Sequence, residues 1–133
     1  MPGLDTNVLV RWIVEDDSVQ AARVQKLFNE VRASDGTLYV PSSVMLELEW
    51  VLRSRYGFDK PEVLRAFNAL LESRELEFEA EWALEWALHL YRQGPAEFAD
   101  CLHAGLCGAA DHAPLLTFDD NASKLAGVEL LRA

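Results

Sequence analysis

Four short β-forming runs, "TLYV", "LEFE", "PLLTF" and "VELL", stand in this order along the chain with helix-length segments between them. Strands separated by helices cannot join as tight hairpins; they pair in parallel through right-handed crossovers. This alternation predicts an α/β chain with a central, mainly parallel sheet of about five strands, covered by helices on both faces. The fifth strand is the opening Leu4 and Asp5, although Pro2 and Gly3 give it little strand-forming sequence of its own. With 133 residues and no internal repeat, one domain over 1–133 is expected, long enough to bury roughly 70% of its unfolded surface.

The helices are punctuated clearly. One follows Asp5 over "TNVLVRWI". A second runs from Ser18 to about Ala33 behind Asp17, an N-cap residue type. A third starts at Pro41, Ser42 and Ser43 and stops at Gly57, where a left-handed cap is cheapest. Asp59 and Glu62 form a capping-box pair around Pro61, and Val63, Leu64, Phe67, Leu70 and Leu71 make the buried stripe of the fourth. The helix over 80–92 leaves only a narrow polar stripe, so Trp82 and Trp86 are expected in the core or at a subunit interface. The next, over 96–109, carries Ala104, Gly105, Gly108 and Ala109, which permit close approach to a neighbour, and "DNASKLA" gives a short last helix.

Composition narrows the function classes. No apolar run approaches the roughly 20 residues of a membrane span, and the N-terminus carries no secretory pattern. A chain working in the cytoplasm without membrane contact is expected. Cys101 and Cys107 fit neither a disulfide framework nor a zinc pair and read as small core residues. The net charge of -10, from 12 basic and 22 acidic side chains, repels polyanions on average, so such a substrate must be gripped locally. Part of that excess, Glu72, Glu75, Glu77, Glu79, Glu81 and Glu85, reads as a solvated face.

In open parallel sheets the functional crevice lies at the carboxyl ends of the strands. Asp5 ends the first strand, Asp119 follows the fourth, and Glu47 and Asp100 lie near the starts of helices that follow strands. Four acids thus converge on one sheet edge. Glu49 has Arg53 at i+4, an ordinary surface pair, whereas Glu47 has Val44 at i-3 and Val51 at i+4 and is expected in the apolar seam without a cation. Like charges about 4 Å apart repel by roughly 4 kcal/mol at an effective dielectric near 20, so clustered carboxylates without basic neighbours call for a metal. An all-oxygen set helped by Thr6, Asn7 and Thr117 suits Mg²⁺ or Mn²⁺ better than zinc. A lesser alternative is zinc on one helical face from Asp100, His103 and Cys107. Asp120 reads as a helix cap.

Four motifs, "DTNVLVRW", "LELEWVLRSRYG", "FADCLHA" and "LLTFDD", occur in an order and spacing that resembles the PIN domain, specifically the VapC-like toxin ribonucleases. The resemblance spans the whole chain. It implies a three-layer α/β/α sandwich and an Mg²⁺- or Mn²⁺-dependent endoribonuclease using one or two ions. The family's acidic quartet falls on Asp5, Glu47, Asp100 and Asp119, and its accompanying polar residues on Thr6, Asn7 and Thr117. The resemblance implies Asp5 and Asp100 as the most direct metal ligands, Asp119 as a ligand or water positioner, and Glu47 as an outer ligand or proton acceptor. A cognate antitoxin and a homodimer are further implications. Arg11, Arg53 and Arg55 are the residues expected to contact RNA phosphates, with surface salt bridges as their ordinary alternative.

Two other readings compete. A catalytically inactive PIN-like module could use its acidic pocket to bind a basic protein partner, but partner binding does not require four uncompensated acids. A phosphotransfer domain would use Asp5 as a nucleophile with a second acid two residues on, where this chain has Asn7.

Overall fold

The computed structural model describes residues 1–131. Helix α1 (Thr6–Val14) follows Asp5, and α2 (Ser18–Ala33) follows Asp17, whose side chain accepts the backbone N–H groups of Val19 and Gln20. Strand β1 (Leu38–Val40) leads into α3 (Ser42–Tyr56), which ends on Gly57 in the left-handed region at φ 67°. Helix α4 (Lys60–Leu71) has the complete Asp59–Glu62 capping box. Then come β2 (Leu76–Phe78), α5 (Glu81–Gln93), α6 (Phe98–Ala109), β3 (Leu115–Thr117), a 3-10 turn (Ala122–Lys124) and β4 (Val128–Leu130). None of these helices is long and apolar enough to cross a membrane.

The chain forms two compact units, Met1–Glu79 and one from Ala80 onward. In the first, β1 pairs in parallel with β2, Leu38 opposite Leu76 and Val40 opposite Phe78. The expected opening strand is reduced to a single parallel bridge between Gly3 and Tyr39. Backbone groups hold it: Leu4 N–H donates to Tyr39 O and Tyr39 N–H to Pro2 O, both at 2.8 Å. Proline lacks only a donor, so it can still accept here. Leu9, Phe28, Leu38, Leu48, Leu52 and Phe67 are fully buried around this pairing, each stabilising the unit by about 1.5–3 kcal/mol. Trp12 stacks on Phe28 at 4.1 Å between ring centroids, locking α1 to α2.

In the second unit β3 pairs in parallel with β4, Leu115 opposite Val128 and Thr117 opposite Leu130. Helices α5 and α6 lie face to face, and Gly105 makes this possible: a Cβ there would stand 2.6 Å from the Ala83 carbonyl oxygen. Gly108, expected to serve the same purpose, faces open space.

Several expectations are corrected. Trp82 and Trp86 are not in the core; they are 59% and 36% exposed and stack on each other at 6.3 Å, because Ala83, Leu84, Ala87 and Leu88 take the buried face of α5. In the "PLLTF" run Leu116 and Phe118 point outward by strand alternation. Cys101 is buried, but Cys107 only partly. Glu75 does not belong to a solvated face. It is buried and bound by Arg32, which holds its carboxyl below the usual glutamate range against the opposing effect of burial. Glu79 has a structural task as well: its Oε1 accepts the Ser42 N–H at 2.9 Å, capping α3 where Pro41 offers no side-chain bond.

Candidate active site

The first unit brings Asp5 and Glu47 together at the carboxyl end of β1. Asp5 is the N-cap of α1, and its Oδ1 accepts the Thr6 N–H at 2.8 Å, satisfying one of the backbone donors left free at the helix start. Thr6 is only 3% exposed, and its hydroxyl donates to Glu47 Oε1, tying the start of α1 to α3. Asp5, Thr6, Asn7, Glu47, Trp50 and Arg55 line one open pocket of about 230 Å³.

Glu47 and Glu49 exchange their expected places. Glu49 is 3% exposed, gripped by Arg53 through Nε and by Nη2 at 3.3 Å, whereas Glu47 is exposed. The buried arc of α3 comprises Val44, Met45, Leu48, Glu49, Val51 and Leu52. At about 100° per residue, Glu47 falls just beyond the Val51 edge of that arc. Nor does the pocket lack a basic group, because Arg55 lines it from the last turn of α3.

The three arginines thus differ. Arg11 donates to Gln20 Oε1 at 2.6 Å, Asp16 Oδ1 at 3.0 Å and Tyr56 Oη at 3.3 Å, and the Tyr56 hydrogen bond leads in raising its pKa. Arg53 holds Glu49. Both therefore have the salt-bridge role, and Arg55 is the one placed beside candidate site acids.

In the second unit Asp100 lies in the first turn of α6 and Asp119 just after β3. Burial pushes the Asp100 carboxyl above its ordinary value; the nearby Asp119 and Glu97 charges push the same way, and His103 opposes them. Asp119 Oδ1 accepts the Ala122 N–H at 2.8 Å, so Asp119, rather than Asp120, caps the 3-10 turn. Its own N–H donates to Thr117 Oγ1 at 3.0 Å, which fixes the turn. Asp119 is thus close enough for its charge to act on Asp100.

Among the described residues no group of three or more His, Cys, Asp or Glu side chains is set to hold a metal ion. Asp100, His103 and Cys107 make no such group, and His103 is exposed on α6. Paired carboxylates still fit a hard cation. Mg²⁺ commonly keeps several waters and takes only one or two carboxylates, and the oxygen-only donors here exclude nothing it requires.

The sequence matches the PIN domain model over residues 4–128, a span that includes all four acids. The chain belongs to the PIN domain family. A VapC ribonuclease of Aquifex aeolicus is 26% identical to this PIN domain over 100 residues, covering 74% of this chain and 73% of that protein. Among solved structures, it resembles a chain of the Rickettsia felis VapBC2 structure bound to a DNA fragment from its promoter. That likeness has 18% identity and a TM-score of 0.39, over 98% of this chain and 96% of the other. The α/β class and parallel strand pairing read from the sequence agree with the PIN assignment. Trp50 was missed by sequence reasoning. Its signal was a large aromatic three residues after Glu47, outside the apolar arc of α3.

Proposed function

We propose that this PIN domain is an Mg²⁺- or Mn²⁺-dependent endoribonuclease that hydrolyses RNA phosphodiester bonds, acting as the toxin of a toxin-antitoxin pair. The observation that carries the reading is the PIN match over residues 4–128, which spans Asp5, Glu47, Asp100 and Asp119; the Asp100 carboxyl, raised first by burial and then by the nearby Asp119 charge, is one that a bound cation would relieve. Family membership and the similarity to a VapC ribonuclease support it.

By the family resemblance Asp5, Asp100 and Asp119 are the ligand candidates for the ion, with Glu47 as an outer ligand or proton acceptor. When bound, the ion supplies positive charge that stabilises the transition state at phosphorus and the departing oxygen. The remaining work belongs to this chain's own residues. Thr6 orients Glu47 through its hydroxyl, which occupies Oε1 and leaves Oε2 as the oxygen able to accept a proton. Thr117 steadies the turn of Asp119. Asn7 offers an uncharged hydrogen-bonding group beside Asp5, and Arg55 is positioned to pair with an RNA phosphate. The exposed Trp82–Trp86 stack gives α5 an aromatic face for protein contact, which fits the expected homodimer or antitoxin.

Calorimetric Mn²⁺ binding, read beside RNA cleavage, tests the ligand set. Asp100→Asn and Asp119→Asn should each weaken Mn²⁺ binding and abolish cleavage while leaving the fold intact. Unchanged Mn²⁺ affinity in both variants removes these residues from the site.

A further inference from the structure

Trp50 has no task in the fold that accounts for it. It is 54% exposed on α3, and its indole makes no ring stacking or hydrogen bond with any described residue; only its backbone carbonyl is used, by the Ser54 hydroxyl at 2.7 Å. Such a side chain would stabilise the fold by about 1.5–3 kcal/mol if buried, so leaving it in water calls for another explanation. Its place supplies one. Trp50 lines the pocket that holds Asp5, Glu47 and Arg55. At about 100° per residue, Trp50, Glu47, Val51 and Arg55 succeed one another around α3. The acid therefore lies between an open π-face on one side and a guanidinium on the other.

That order matches a single nucleotide, with a base for the indole, a sugar-phosphate segment passing the acids and a phosphate for the cation. We propose that Trp50 is a base-stacking platform that seats one unpaired RNA base beside the acids while Arg55 takes the neighbouring phosphate. This rests on the nuclease reading and adds how the RNA is held. It also meets the difficulty that a chain of net charge -10 presents, because stacking does not depend on a positive surface. A duplex base is already stacked and paired, so the platform selects single-stranded segments, loops and bulges. Stacking tolerates every base; it governs affinity and the choice of unpaired over paired RNA, not the base identity.

The test compares the wild type with Trp50→Ala and Trp50→Phe. Binding of a mixed-sequence single-stranded oligoribonucleotide is read by fluorescence anisotropy in EDTA, and KM and kcat are read on an RNA the wild type cleaves. Base–aromatic stacking is worth about 1–3 kcal/mol by alanine substitution, which converts to roughly a 5- to 150-fold loss. Trp50→Ala should weaken binding and raise KM by that factor with kcat little changed, and Trp50→Phe should recover most of the loss. Wild-type binding and KM in Trp50→Ala overturn the platform and leave the nuclease standing, whatever that variant does to protein contacts. A wild type that neither binds nor cleaves RNA removes both readings.

Discussion

Two glycines three residues apart in α6 should respond oppositely to the same substitution. At Gly105 a Cβ would lie 2.6 Å from the Ala83 carbonyl oxygen, 3.3 Å from its carbon and 3.5 Å from Ala83 Cα. These are backbone atoms of α5 and cannot rotate aside. Helix α6 would have to withdraw from α5 by roughly half an ångström, loosening the packing of the buried Cys101 and Leu102. Overpacking of this kind costs about 1–3 kcal/mol, and the helix propensity gained from alanine returns up to about 1 kcal/mol. Gly105→Ala should therefore destabilise the protein by about 1–2 kcal/mol, or roughly 3–10 °C in Tm for a chain of this size. Nothing lies within 4 Å of the Cβ position at Gly108. Gly108→Ala should instead stabilise by up to about 0.5 kcal/mol, the gain being smaller near a helix end. Thermal melts followed by circular dichroism decide it. If both variants shift Tm in the same direction, or Gly105→Ala melts with the wild type, the close approach of α5 and α6 is refuted.

Thr6→Val removes the hydroxyl that orients Glu47 at nearly constant shape. It should lower cleavage about 10- to 100-fold with stability changed by less than about 1 kcal/mol, because exposed Glu47 can turn to water; Thr6→Ser should stay near wild type in the same kcat and melting measurements. Asp100 has a raised folded pKa, so the metal-free fold loses stability as the pH rises from the ordinary aspartate value to the raised folded one, and the loss is complete above it. Asp100→Asn should melt higher than the wild type in EDTA at neutral pH, with the gap closing as the pH falls below the ordinary aspartate range. Glu75 has the opposite sign. Its pKa is lowered first by the Arg32 hydrogen bond, so its stabilising contribution is present above the ordinary glutamate value and is lost as the pH falls through the lowered folded one. Arg32→Ala should cost about 1–3 kcal/mol in urea unfolding at neutral pH, and the deficit should vanish in strong acid.

Local chemistry made much of this chain legible. Asp17, the Asp59–Glu62 box and Gly57 mark helix ends through bonds made within a few residues, and each recurs as read. The strand-helix alternation carried the α/β class because parallel pairing follows from connectivity. What was not legible depends on partners distant in sequence. Glu75 is buried because Arg32 arrives from 43 residues away, and Arg55 reaches the Asp5 pocket through the path of α3. The reversal of Glu47 and Glu49 has a related cause. Apolar neighbours at i-3 and i+4 place a residue near the buried arc of a helix, but which edge of the arc closes depends on what packs against it. The opening segment is held by backbone groups of Pro2, Leu4 and Tyr39, which side-chain patterning does not encode.

The most direct test of the central proposal is cleavage of total and defined RNAs by the purified protein with Mg²⁺ or Mn²⁺, set against EDTA and against Asp5→Asn, which changes one carboxylate at nearly constant shape. The account predicts discrete, metal-dependent cuts that disappear in EDTA and in the variant. Folded, partner-free protein that leaves every RNA intact with either metal, or cuts equally well as Asp5→Asn, contradicts it.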